Sequence, residues 1–100
     1  MATNAQVFEI TIKSDHDSVP RVSAELISNF LIYNYGERQY REICDGITQS
    51  QEWHRLNCLH QVMHIVTIKG NDSMLGRRIY DKLIKLYPNW QLQIECKNNL

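Results

Sequence analysis

The chain has 100 residues, of which 43% are hydrophobic and 22% are charged, and its 11 basic and 11 acidic side chains cancel. This balance is typical of a single folded domain over residues 1–100, and it argues against disorder and against a strongly cationic nucleic-acid binder. The sequence shows no secretory signal and no apolar stretch near the roughly 20 residues that cross a bilayer. We therefore expect a cytoplasmic or nuclear protein that is not secreted.

Residues 7–13 alternate between apolar and polar side chains, which predicts a strand with one wet face. The polar segment that follows offers Asp17 or Ser18 as a helix cap. Gly36 is placed to end the helix, because glycine commonly supplies the positive φ there. The apolar stripe of this helix is expected to run through Val19, Val22, Leu26, Phe30 and Tyr33.

Residues 37–60 admit two interpretations. Tyr40, Ile43, Cys44 and Ile47 have helical spacing, whereas Asp45-Gly46 between two mixed segments is also a hairpin signal. We favour a helix, because the Thr and Gln residues after the turn make a poor apolar face. A short helix is also expected over residues 51–60.

The second half of the chain is easier to interpret. Residues 62–69 form a nearly continuous apolar run that predicts a well-covered strand. Asp72 or Ser73 caps a helix that Pro88 stops, and residues 90–97 alternate as a last strand. Such a βαβ unit should make the last two strands parallel.

The elements together predict an α+β fold. We expect a three- or four-stranded mixed sheet with helices mainly on one face, of ferredoxin-like or related βα(α)βαβ topology. If residues 39–49 contribute a strand, the ferredoxin-like arrangement is the nearest common architecture.

Cysteine and histidine are concentrated in the middle of the chain. His54 and Cys58 are four residues apart and would share a face of a short helix, and thiolate and imidazole are zinc ligands. A zinc-stabilised adaptor with Cys44, His54, Cys58 and His60 as ligands is therefore an alternative. Because the paired-cysteine spacing of structural zinc sites is absent, we expect no cofactor and assign these residues, and Cys96, to the structure of the fold.

Basic residues cluster late in the chain. Arg78, Lys82 and Lys85 would share one helical face, with Arg77 beside them and Lys69 at the end of the preceding strand. This set suggests a nucleic-acid-binding module as a second alternative. The zero formal charge weakens the electrostatic attraction on which such binding depends.

Aromatic and arginine side chains suggest the favoured function. Tyr and Trp dominate protein-protein hot spots because each supplies a large rigid surface and a polar group. The sequence contains no catalytic motif and no cofactor-binding loop. We therefore expect a small non-enzymatic protein-interaction module, of the inhibitor or adaptor type, that binds a protein partner through a surface or a sheet edge. The proposed binding residues are Tyr35, Arg38, Tyr40, Arg41 and Trp53.

Sheet edges offer a further mode of association. Edge pairing through residues 7–13 or residues 90–97 would permit a symmetric homodimer. The two halves of the chain carry opposite formal charges of about −3 and +3, which would help two copies attract each other.

Overall fold

The computed structural model describes residues 6–56 and 59–98, but only the backbone of residues 56, 59, 60 and 98. The fold is α+β, as expected, with two helices and a four-stranded sheet. A short 3-10 turn at Cys44–Gly46 follows the first helix. The elements are β1 (Gln6–Asp15), α1 (Ala24–Ile43), β2 (Ile47–Leu56), β3 (Leu59–Gly70), α2 (Ser73–Leu86) and β4 (Gln91–Asn98).

The sheet has the strand order β2-β3-β1-β4, and every neighbouring pair is antiparallel. The expected mixed sheet is therefore wrong. β3 and β4 do run in the same direction, as a βαβ unit requires, but β1 lies between them and pairs with both. Because β1 is central, residues 7–13 offer no free edge to a second copy. The edges of the described sheet are β2 and β4.

One face of the sheet forms the core with both helices. Alternate β1 residues point to this face, so that Phe8, Ile10 and Ile12 are buried while their neighbours are half-exposed. Ile10 pairs with Ile68 on one side and with Ile94 on the other. The buried residues that join them are Val22, Ile27, Phe30, Leu31, Ile43, Val66, Ile68, Leu75, Ile79, Leu83 and Trp90.

Helix α1 begins later than the sequence predicts. Ser23, and not Asp17 or Ser18, is its cap, because the Ser23 hydroxyl accepts a hydrogen bond from the Leu26 N–H at 3.1 Å. The apolar stripe shifts with this start. Val19 and Tyr33, which were expected to be buried, are 91% and 89% exposed.

Gly36 interrupts α1 without ending it. Its φ of 87° breaks the helix, which then resumes and reaches Ile43. The favoured helix over residues 39–49 is therefore correct only as far as Ile43, since β2 begins at Ile47.

The expected helix over residues 51–60 is also wrong. β2 continues to Leu56 and pairs with β3 as a hairpin, and residues 57 and 58 lie outside the described chain. The pairing extends beyond the end of β1, whose last partner is Met63. Trp53 pairs with Val62 in the part of the hairpin that extends past β1.

Replacing Gly76 with alanine tests how closely α2 packs on β1. A Cβ at this position would overlap Cγ of Phe8, and this ring carbon, which is bonded to the Phe8 Cβ, cannot move aside cheaply. Helix propensity alone would make Gly76→Ala stabilising by about 1 kcal/mol. We expect overpacking, which costs about 1–3 kcal/mol, to outweigh this gain and to lower the free energy of unfolding in urea.

Arg78→Ala, an exposed change on the same helix, is the matched control and should shift stability by no more than about 0.5 kcal/mol. A Gly76→Ala protein more stable than the wild type would show that α2 does not pack this closely on Phe8.

Candidate interaction surface

The candidate site lies where the β2–β3 hairpin extends past β1. On the helix side of this hairpin, Trp53 lies opposite Val62, and Gln51 lies opposite His64. Trp53 is 68% exposed, whereas His64, two residues along β3 from Val62, is only 6% exposed. A large exposed aromatic ring thus lies next to a buried imidazole.

The loop between β1 and α1 packs beside this hairpin. The His16 N–H donates to the carbonyl of Val62 at 3.1 Å, which continues the β1 pairing by one residue. The buried Ser14 hydroxyl accepts from the Val22 N–H at 2.8 Å. At the far side of the loop, the Trp90 indole N–H donates to the Pro20 carbonyl at 2.8 Å. These bonds fix the loop at both ends, although its residues are mostly exposed.

His16, Arg21 and His64 form a hydrogen-bonded cluster. Nη1 of Arg21 lies 2.7 Å from Nδ1 of His16, and Nε2 of His64 lies 2.9 Å from the same atom. Because a guanidinium only donates, Nδ1 of His16 is the acceptor, and its single lone pair is shared between Arg21 and Nε2–H of His64. The two imidazole rings are stacked with their centroids 5.2 Å apart.

This environment favours neutral His64. Burial lowers the pKa of His64 below its ordinary value of 6.5, and the positive charge of Arg21 and the neighbouring His16 lower it further. A charged His64 imidazole would be shielded from water and would lie near the positive guanidinium of Arg21. The buried ring therefore acts as a neutral support for the exposed residues around it.

We call the exposed residues Arg21 and Trp53, together with His16 and His64, the hairpin-loop surface. Its members come from the loop, β2 and β3. Val62 links these elements. It pairs with Trp53 of β2, and its carbonyl accepts a hydrogen bond from the His16 N–H. The surface combines an exposed tryptophan with an arginine that is hydrogen-bonded to the histidine pair.

The sequence-predicted binding residues do not form one patch. Tyr35, Arg38, Tyr40 and Arg41 lie in the last part of α1. Tyr40 donates to the Ser28 hydroxyl at 3.2 Å, and Arg41 lies 3.6 Å from the Glu37 carboxylate. Trp53 lies six residues after Ile47, the first residue of β2. It is therefore about 20 Å from the end of the strand that follows α1.

Two of the proposed zinc ligands, Cys44 and His54, lie near opposite ends of β2. Cys44 lies in the turn before β2, and His54 lies near the far end of that strand, where its Nε2 is 3.1 Å from Glu52. Cys58 and the side chain of His60 lie outside the described residues. Over residues 6–56 and 59–98, no three His, Cys, Asp or Glu side chains could hold one metal ion. Cys96, expected to be buried, is exposed.

The basic residues of the nucleic-acid alternative lie on two sides of the molecule. Arg77, Arg78, Lys82 and Lys85 are exposed on α2. Lys69 instead lies on the open face of the sheet, where it pairs with Glu9 at 3.7 Å. The sheet therefore separates Lys69 from the α2 residues.

Sequence reasoning missed the cluster around His64. His16 and His64 are 48 residues apart, and no local spacing relates them. The available signals were a histidine inside an apolar strand and a histidine directly after another strand. Only the antiparallel pairing of β1 with β3 places the two side by side.

Comparisons with known proteins give little information. No family model matches the chain, and no curated protein matches it. Among solved structures, the chain is similar to one named "De novo designed protein Foldit4", at 22% identity and a TM-score of 0.42, with 95% of this chain and 98% of that chain covered. In the described part of the chain, neither helix is long and apolar enough to cross a membrane.

The buried imidazole predicts a pH dependence of stability. Since the folded-state pKa of His64 is below 6.5, the unfolded chain binds more protons between the two pKa values. The contribution of His64 is therefore complete above pH 6.5 and is lost as the pH falls toward the folded-state pKa. We expect the free energy of unfolding to fall between about pH 7.5 and about pH 5, and to fall less in His64→Gln.

Urea titrations at the two pH values measure this difference. His54→Gln, at an exposed position on β2, is the control and should follow the wild type more closely than His64→Gln does. An equal loss of stability in the wild type and His64→Gln would contradict a lowered pKa at His64.

Proposed function

We propose that this chain is a non-enzymatic protein-interaction module that binds a protein partner through the hairpin-loop surface. The observation that carries the proposal is the 68% exposure of Trp53 one residue pair along the hairpin from the buried His64, which is linked through His16 to Arg21. Tryptophan and arginine are enriched in binding hot spots, whereas an isolated exposed tryptophan brings the protein no folding benefit. An inhibitor or an adaptor would both fit this description.

The rigidity of the base supports the proposal. Affinity is greatest when few groups must be ordered on binding. Here the loop is held by His16 and Val22 from one side and by Pro20 from the other. Arg21 uses Nη1 on His16, which leaves its other N–H donors for a partner.

The chemistry of the surface favours an acidic partner segment with a bulky apolar side chain. The free donors of Arg21 suit a carboxylate, since guanidinium and carboxylate pair in a fork. Trp53 provides apolar area for the neighbouring side chain. Because burial and the charge of Arg21 lower the pKa of His64, the neutral ring adds no buried positive charge to this surface.

The histidine pair fits a binding role better than a catalytic one. A general base needs a free lone pair within reach of a substrate proton. Nδ1 of His16 already faces both Arg21 and His64, and the His64 ring, whose Nδ1 carries the other lone pair, is only 6% exposed. The proposal therefore assigns no reaction and no cofactor to this surface.

The proposal also covers the topology of the sheet and the cellular compartment of the protein. We infer a ferredoxin-like arrangement, which is supported by the strand order β2-β3-β1-β4 and by two helices that each link strands separated by one neighbour. We also propose that the protein acts in the cytoplasm or the nucleus, where its free Cys44 and Cys96 would stay reduced.

The test compares two exposed aromatic residues. Immobilised wild-type protein, Trp53→Ala and Tyr33→Ala are each exposed to an extract of the source cell, and a retained protein is then purified and titrated by calorimetry. Tyr33 is the matched control because it is 89% exposed but lies on α1. We expect Trp53→Ala to lose at least about 2 kcal/mol of binding free energy, as hot-spot residues do, and Tyr33→Ala to bind like the wild type.

An Arg21→Ala variant tests the proposed carboxylate contact. It should weaken binding of the same purified partner, and added salt should weaken wild-type binding more than that of Arg21→Ala. Equal affinity of wild type, Trp53→Ala and Arg21→Ala would contradict the proposed surface.

A further inference from the structure

We propose that two copies of this chain associate through β4, with α2 of each copy beside the other, to form a two-fold dimer with a continuous sheet. The outer edge of β4 has no strand beside it among the described residues. This eight-residue edge contains no proline, and its single lysine, Lys97, lies near the end. Proteins that avoid edge pairing usually place such residues within the edge strand.

The β4 sequence is complementary to itself in one antiparallel register. With Ile94 on the two-fold axis, Leu92 lies opposite Cys96 of the second copy on the helix side. On the open side, Gln93 faces Glu95 of the second copy, and Gln91 faces Lys97 of the second copy. No like charges meet. Centring the axis on Glu95 instead would place two glutamates opposite each other.

Helix α2 is also complementary to α2 of a second copy when the two helices pair in antiparallel fashion. Met74, Arg77, Asp81 and Ile84 lie along one side of the helix. Met74, Arg77 and Asp81 also line a cleft of about 390 Å³ that includes Cys96 of β4. In an antiparallel pair of helices centred on Ile79, Arg77 faces Asp81 of the second copy, and Met74 faces Ile84 of the second copy. Both apolar residues are exposed, at 67% and 41%.

The two-fold axis that suits β4, at Ile94, nearly coincides with the axis that suits α2, at Ile79. A Cβ at Gly76 would contact Phe8, and Phe8 pairs with Cys96, so Gly76 lies at the level of Cys96. From Gly76 to Ile79 the helix advances about 4.5 Å, and from Cys96 to Ile94 the strand advances about 6.6 Å in the same direction. One two-fold axis can therefore serve the strand and the helix to within about 2 Å.

This surface is independent of the proposed function. β4 and β2 form opposite edges of the sheet, and Trp53 lies on β2. Trp53→Ala should therefore leave the dimer unchanged, so failure of either proposal can be recognised separately.

Charge reversal tests the helix contact. Sedimentation equilibrium is run on the wild type, on Arg77→Asp, on Asp81→Arg and on the double variant. Each single change brings like charges together across the axis and should raise the dimer dissociation constant at least about tenfold. The double variant restores opposite charges and should return to within about threefold of the wild type.

Lys82→Glu, an exposed charge reversal away from this side of α2, is the control and should leave the dissociation constant unchanged. A monomeric wild type at millimolar concentration, or single variants that dimerise as well as the wild type, would overturn the proposal.

A disulfide test examines the register of β4. In a background of Cys44→Ser and Cys58→Ser, Leu92→Cys places a thiol opposite Cys96 of the second copy, at a distance that a disulfide can span. Mild oxidation should give a covalent dimer. Gln93→Cys projects its thiol to the open face and should give none. Absence of the dimer with Leu92→Cys, or equal yields from both variants, would overturn this register.

Discussion

The antiparallel pairing of β1 with both β3 and β4 is the constraint on which the rest of the structure depends. It places the first strand in the middle of the sheet, and it aligns Ile10 with Ile68 and Ile94 on the face that both helices cover. α2 approaches β1 so closely that Gly76 has no room for a side chain above Phe8. The same pairing leaves β2 and β4 as the edges, and each edge carries one of the proposed surfaces.

A difference in strand length creates the hairpin-loop surface. β1 ends at Asp15, opposite Met63, while β2 and β3 continue to Leu56 and Leu59. The chain leaving β1 must turn toward α1 at this point, and it brings His16 against Val62. His64 is consequently covered by His16 and Arg21 and kept neutral, while Trp53 lies just beyond this cover.

Local periodicity predicted the elements that have one buried and one exposed face. β1 and α2 fit this description, and alternate residues of β1 and one side of α2, with Leu75, Ile79 and Leu83, are buried. β2 was missed because its outer residues, from Thr48 to Arg55, are exposed on both faces and show no alternation. Its position depends on backbone hydrogen bonds to β3, and these leave no trace in the side-chain pattern.

The site was less predictable than the fold because it depends on contacts between distant residues. Trp53 was singled out by residue type, but its expected neighbours on α1 lie elsewhere. The residues grouped with it come from β3, 9 to 11 positions along the chain, and from the loop before α1, 32 to 37 positions away, and the sheet register brings these segments together. The helix assigned to residues 51–60 would have placed Trp53 against different side chains.

The central claim is that Trp53 lies on an extended edge strand that passes the end of β1, next to His64. Cross-strand nuclear Overhauser effects measure this directly. The account predicts contacts between Trp53 and Val62 and between Gln51 and His64, together with strong sequential Hα-to-amide contacts over residues 51–55. Contacts between residues three and four apart in this segment, with none across to Val62, would contradict it.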